Sequence, residues 1–314
     1  MKKILLLPLL LITIYAQGNF SGVTYFDYSY DLTKDATNDA GFGLKRVYFT
    51  YQQEISENLS YKFQTDVGQL DIGDFDDDDQ LAGTKKTQFV AYLKKAQLDW
   101  KTSCGKLTFG MQGMNIFNVT EKTWGFRFLE KSAMDLNKFS SSADMGIGYS
   151  GIFNNLNYSF MYTNGSGYKK SEHDKHKKLS AQFVYGEKKL VKKDGFNIGV
   201  SFSTEPYNFT DDKIKNKWVA ALYGGFAKNN LRVGLEWDTH LDEGTDITQQ
   251  IIAGYASYKI SDKFEGLIYV DMYDPNTSTE SDGNTDMIIG ANYRPEKGLT
   301  ITPNIRVSTP DEGD

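Results

Sequence analysis

The chain has 314 residues, with 35 Lys and Arg against 41 Asp and Glu, a formal charge of −6. An acidic balance of that size repels phosphate backbones and argues against a nucleic-acid partner. Hydrophobic residues make up 39% of the chain, yet Tyr and Phe contribute 20 each and Gly 29. That composition is poor for a continuous soluble core and sufficient for strands with a single apolar face.

Met1 to Ala16 opens with Lys2 and Lys3, continues through the apolar run Ile4 to Ile12 and ends on a small residue, the layout of a cleavable signal peptide. The run is too short to span a bilayer as a helix. Cleavage removes two lysines, leaving 33 basic residues against 41 acidic, or −8. Residues 17–314 then form one unit.

From there, runs of roughly ten residues alternate apolar and polar side chains along the whole chain, which predicts a transmembrane antiparallel β-barrel of the outer-membrane type. The cleanest run sets Phe196, Ile198, Val200 and Phe202 against Asn197, Gly199, Ser201 and Ser203. The predicted strands are Val23–Tyr30, Leu44–Ile55, Leu59–Val67, Phe89–Trp100, Lys106–Met111, Ala143–Tyr149, Leu156–Thr163, Lys178–Tyr185, Phe196–Ser203, Trp218–Phe226, Leu231–Asp238, Ile251–Ile260, Phe264–Tyr273, Met287–Tyr293 and Leu299–Val307. Fifteen is an odd number, and an open edge in lipid is not tolerated. The expectation is therefore about sixteen strands, with the last one missing from this sequence. Pro303 inside the fifteenth run implies a bulge or a position near the seam.

Connections alternate in length. Ser56–Asn58, Thr102–Gly105, Gly151–Asn155, Lys228–Asn230, Ser261–Lys263 and Pro295–Gly298 are short, as on a periplasmic rim. Thr33–Gly41, Leu70–Thr87, Asn115–Ser142, Asn164–Lys177, Thr204–Asn216, Thr239–Thr248 and Asp274–Thr285 are long and polar, as on an outer rim. Glu187–Gly195 is the misfit, a basic connection that is long where a short one is expected. Aromatic residues at strand ends, such as Tyr28, Tyr30, Trp100, Tyr162, Trp237 and Tyr273, suit interfacial girdles in contact with outer-membrane lipid.

The polar strand face nominates a lumen wall. It carries Arg46, Lys62, Lys95, Lys178, Arg232, Lys259 and Arg306 against Asp27, Asp66, Asp99, Asp144, Glu236, Asp238, Glu265 and Asp271, close to neutral. Asn115–Ser142 contains Trp124, Phe126, Phe128 and Leu129, too apolar for a loop in water, and is expected to fold into the barrel and narrow it. Asn118 and Glu121 have capping-box spacing, which predicts a helix through Thr120–Lys131 despite Gly125. At such a constriction local charge selects ions, so Arg127 and Lys131 are the foremost candidates for anion attraction, with Lys122, Lys138, Arg46 and Lys62 in support. The alternative is that Arg127 simply pairs with Glu130 to hold the loop.

Trp124-Gly125-Phe126-Arg127 through Glu130-Lys131, followed by Ser141-Ser142-Ala143-Asp144-Met145-Gly146, resembles the phosphate-selective porin O and P family. The resemblance implies a sixteen-stranded porin, often a homotrimer, in the outer membrane of a Gram-negative bacterium, with basic residues on the inward loop and wall drawing small anions through. A ladder of stacked arginines, which that family's pattern includes, has no match here.

Other chemistry finds little footing. The acidic run Asp71, Asp74 and Asp76–Asp79 lacks EF-hand spacing, so no metal is assigned. His173, His176 and His240 fall in polar connections without a nucleophile motif, which argues against an enzyme, and no cofactor motif is present. Cys104 is a lone thiol in a turn. The reading is a passive diffusion porin for small hydrophilic solutes; a non-conducting surface barrel and a secreted soluble β-domain are the alternatives.

Overall fold

In the computed structural model, which describes residues 18–33, 40–75, 81–172, 174–210 and 212–311, every alternating run becomes a strand. The fifteen are β1 Asn19–Tyr30, β2 Ala40–Glu54, β3 Leu59–Phe75, β4 Leu81–Thr102, β5 Gly105–Gly113, β6 Ala143–Phe153, β7 Leu156–Thr163, β8 Lys178–Gly186, β9 Gly195–Thr210, β10 Lys213–Lys228, β11 Leu231–Asp242, β12 Ile247–Lys259, β13 Phe264–Asp274, β14 Asn284–Tyr293 and β15 Asn304–Pro310. Each pairs antiparallel with its sequence neighbours in one sheet running from β1 to β15. The only helices among the described residues are α1, Asn118–Trp124, and α2, Ala133–Leu136, both inside the connection from β5 to β6. Met1–Ala16 lies outside the described residues.

The period-2 pattern sorts side chains onto two faces. On β9, Phe196, Ile198, Val200 and Phe202 are 44–54% exposed, while Asn197, Ser201 and Ser203 are 4% exposed or less. An apolar exposed face around a polar buried one inverts a soluble protein and matches a wall between lipid and water. Antiparallel ladders satisfy the backbone between strands, as hydrocarbon requires. Asn229 and Asn230, both at positive φ (49° and 72°), close the tight turn from β10 to β11.

The sheet curls around the β5–β6 connection. Phe128 of that segment lies against Tyr25 of β1, with ring centroids 6.1 Å apart. Two residues later, Glu130 pairs with Arg306 of β15 at 2.5 Å. The first and last strands thus meet the same short stretch of chain.

Two sequence expectations are corrected, and a third is decided between its alternatives. The long polar loops expected at Leu70–Thr87 and Thr204–Asn216 are mostly strand, because β3 with β4 and β9 with β10 continue their ladders past the apolar belt. A ladder in water needs no apolar face, so alternation fades before pairing does. Asp71 and Asp74 accordingly sit on β3, and Asp76–Asp79 lie outside the described residues. Of the two readings of Pro303, the seam holds and the bulge does not: the residue leads into β15, the last strand of the sheet, and Tyr293 opposite Ile301 and Gly290 opposite Asn304 keep a single register. Ala291 N donates to the Pro303 carbonyl at 3.1 Å, and only the return bond is missing, so the strand breaks without shifting. Tyr273 does not serve a girdle; it packs on the inner cluster beside Phe139.

Val200→Arg, which puts a charge on the outer face of β9, is expected to cost about 2–4 kcal/mol of folding free energy in a bilayer. Urea titration of the liposome-reconstituted protein, followed by gel mobility of the folded form, measures it.

Candidate functional site

The β5–β6 connection occupies the lumen because its own apolar residues find apolar partners on the inner wall. Ile116, Phe117, Val119, Ala133, Met134 and Phe139 pack with Val219, Ala221 and Tyr223 of β10 and Ile251 and Ala253 of β12. Trp124 and Phe126, with Phe128 and Leu129 beside them, pack with Tyr255, Leu267, Tyr269 and Ile288. Trp124 is 1% exposed, its ring 5.0 Å from Tyr269 and 5.4 Å from Tyr255, and its indole N–H donates to the Glu130 carbonyl at 2.9 Å.

Helix α1 starts two residues earlier and ends seven earlier than expected. Its N-cap is Phe117, which makes no side-chain cap, so the Asn118 capping box does not form. Gly125 stops it in the left-handed conformation (φ 77°) and donates its N–H to the Glu121 carbonyl. A side chain there would also collide with Val191, 2.7 Å from the Cβ position.

Arg127 is braced within the loop, with Nε 3.1 Å from Glu121 and Nη1 2.7 Å from Asp135. Burial works against its charge, but those two carboxylates outweigh it and raise its pKa. The alternative partner, Glu130, binds Arg306 instead. Arg46 on β2 pairs with the buried Asp66 of β3, and Lys94 on β4 approaches the same carboxylate at 3.6 Å. Lys131 is half-buried within electrostatic reach of Arg46 and Arg127, and burial lowers its pKa. These residues form one mixed-charge group on the β1–β4 side.

Lys122 is exposed to the lumen, yet crowding by the surrounding wall lowers its pKa, despite nearby Glu121. It stands with Lys62 of β3 and Lys95 of β4 in a second group, in which lysines outnumber the neighbouring carboxylates Glu121 and Asp99. Lys138, at φ 61°, is exposed and joins neither. Across the lumen, Glu236, Asp238 and Asp271 are buried on β11 and β13. Asp271 accepts from Asn137 of the loop at 3.1 Å, and none of the three has a cationic partner among the described residues. Charges that balance along the sequence are therefore separated in space.

Lys188, in the connection between β8 and β9, belongs beside Lys122 and was not foreseen as a site residue. The one signal for it was the misfit length of Glu187–Gly195. Among the histidines, His176 Nε2 contacts Asn208 Oδ1 at 2.8 Å and His240 Nδ1 contacts Gln249 at 2.9 Å, and His173 lies outside the described residues. Among the described residues no group of acidic, His or Cys side chains is arranged to hold a metal ion.

No protein-family profile and no curated protein matches the chain. Solved structures do. An anion-selective porin from Comamonas acidovorans is 13% identical with a TM-score of 0.66, over 95% of this chain and 91% of that one. OmpF of Salmonella typhi, solved with daunomycin, is 13% identical with a TM-score of 0.64, over 94% and 91%. OmpT, an outer-membrane protein of Vibrio cholerae in its trimer form, is 13% identical with a TM-score of 0.60, over 93% and 89%. The fold is that of the outer-membrane porins.

Trp124→Ala is expected to destabilise the protein by about 3–5 kcal/mol, because the loop loses its main anchor and keeps a cavity. Trp124→Phe should lose less. Thermal unfolding of both variants in detergent measures the difference.

Proposed function

We propose that this chain is a passive diffusion porin of the outer membrane of a Gram-negative bacterium, exported by its Met1–Ala16 signal, and that it prefers small anions. The observation that carries the reading is the 115–142 segment, held inside the wall by packing on an apolar patch of β10 to β14, while lumen faces elsewhere, as on β9, are polar. A barrel near this strand number is too wide for wall side chains alone to fill. A solute entering among the long connections meets the segment, passes the gap it leaves, and exits at the short-turn rim.

Support for the anion preference comes from the pattern of pairing. Lys131, Lys122 and Lys62 have no ion-pair partner among the described residues and lie where the lumen is narrowed, while the carboxylates Glu121, Asp135, Asp66 and Glu130 are engaged by arginines. Where a pore is narrow and its walls are of low dielectric, unpaired charge biases which ion enters. Phosphate preference, which the resemblance to the O and P family implies, is the narrower form of this reading. Homotrimeric assembly belongs to it as well, a trimer form being known for the Vibrio cholerae neighbour.

The test is the reversal potential of the full chain in a planar bilayer under a potassium chloride gradient. The wild type is expected to be anion-selective. Lys131→Ala should lower the anion-to-cation permeability ratio by removing a free charge, and Arg127→Ala should lower it further by releasing Glu121 and Asp135. Cation selectivity in the wild type removes the anion preference and leaves the porin. Absence of conductance removes the porin and favours a surface barrel.

A further inference from the structure

The connection between β8 and β9 lies on the rim of short turns but folds into the lumen. Asn197 on β9 donates to the Glu187 carbonyl at 2.7 Å, and Leu190 is buried at 3% exposure. Leu190 and Thr123 of α1 both stand 2.8 Å from the place a Cβ on Gly225 would occupy. Gly225 on β10 and Gly125 after α1 thus leave the room in which this second inward segment seats against the end of α1.

Its seating carries Lys188 into a cavity of about 220 Å³ that Lys122 and Lys106 also line. No carboxylate lines that cavity; Gln112, Asn115 and Asn118 supply amides. The neighbouring acids are all engaged, one of them by a lysine of the cavity itself. Asp99 of β4 holds Lys106 at 3.2 Å, Glu121 binds Arg127, and Glu187 binds Lys193 at 3.5 Å. Lys62 and Lys95 add charge from β3 and β4, the Lys95 Nζ lying 3.1 Å from the Cβ position of Gly113 at the cavity edge. Lys122 and Lys188 have no ion-pair partner among the described residues. Burial, reinforced by Lys122, Lys106 and Lys189, pushes the Lys188 ammonium down to about 8. Lys122 and Lys188, held together without an ion-pair partner while Asp99 balances Lys106, cost free energy that a bound anion recovers.

We propose that the cavity formed by Lys106, Lys122 and Lys188 at the short-turn mouth is a binding site for a small, multiply charged oxyanion. It deepens the porin reading and rests on it only for the route by which the anion arrives. The volume accommodates a tetrahedral oxyanion with part of its hydration shell, and the Asn118 amide can donate where the lysines do not reach, those of Gln112 and Asn115 being engaged by Thr108, Gly146 and Ser159.

Inorganic phosphate is the probe, titrated by calorimetry into the detergent-solubilised full chain, with bilayer conductance recorded on the same preparation. Saturable binding at pH 7 is expected. Lys188→Gln should weaken it about tenfold or more, as loss of a charged hydrogen bond does. Lys188→Arg should restore most of it, and Lys228→Gln, a charge change on the same rim outside the cavity, should leave it unchanged. Raising the pH from 7 to 9 discharges Lys188, so wild-type binding should weaken although phosphate itself gains charge, and the Lys188→Gln variant should lack most of that dependence. Binding that is absent, or indifferent to Lys188→Gln, overturns the site whatever the conductance. Binding that depends on Lys188 in a protein without conductance supports the site and overturns the porin reading alone.

Discussion

An aqueous barrel turns its apolar side chains outward and so has no core of its own; this chain makes one by folding 115–142 into the lumen. The anchor is aromatic and aliphatic packing of Trp124, Phe126, Met134 and Phe139 on the inner faces of β10 to β14. Much else follows from it. The segment presses its charged side toward β1–β5, which sets where the lumen narrows. Its buried backbone is satisfied by wall residues, as when Arg232 donates to the Trp124 carbonyl at 3.2 Å and Tyr255 to the Thr120 carbonyl at 3.1 Å. Individually such bonds contribute about 1 kcal/mol, so apolar burial, rather than polar contact, decides the placement.

The same placement separates charge. On the β1–β5 side, arginines are consumed by carboxylates, whereas Lys62, Lys122 and Lys131 have no ion-pair partner among the described residues. On β11 and β13, the buried Glu236, Asp238 and Asp271 stand without cationic partners among the described residues, while Arg232 and Arg294 are both taken by Glu265 of β13, at 3.6 and 2.5 Å. A wall that is near neutral in sum therefore presents two unlike surfaces to the lumen. Net charge counted along strands is blind to this, because neutrality by residue type says nothing of which charges are paired.

The strands were legible because the lipid face enforces strict alternation, as at Phe196–Ser203. Their outer ends were not, since beyond the apolar belt neither face is constrained. The inward loop was legible from Trp124 and Phe126, whose apolarity demanded burial. Its landing surface had a signal that simple alternation overlooks: Val219-Ala220-Ala221-Leu222-Tyr223 and Ile251-Ile252-Ala253 are apolar on both faces, which a wall meeting only water inside would not be. Glycine decided the helix end at Gly125, where a left-handed residue outweighed the helical propensity of Glu130 and Lys131. The partners of Arg127 were beyond sequence reasoning, for Glu121, Glu130 and Asp135 are all within reach along the chain and only the folded path of the loop selects two of them, Glu121 on α1 and Asp135 on α2.

Cys104 is exposed at the turn from β4 to β5, its carbonyl accepting from Tyr149 at 2.7 Å. It is the only thiol in 314 residues and sits on the rim of short turns. The unaltered chain therefore carries one native chemical handle at one end of the barrel. A membrane-impermeant thiol reagent added to one side of a vesicle would read the orientation of every molecule in it, with no engineered residue.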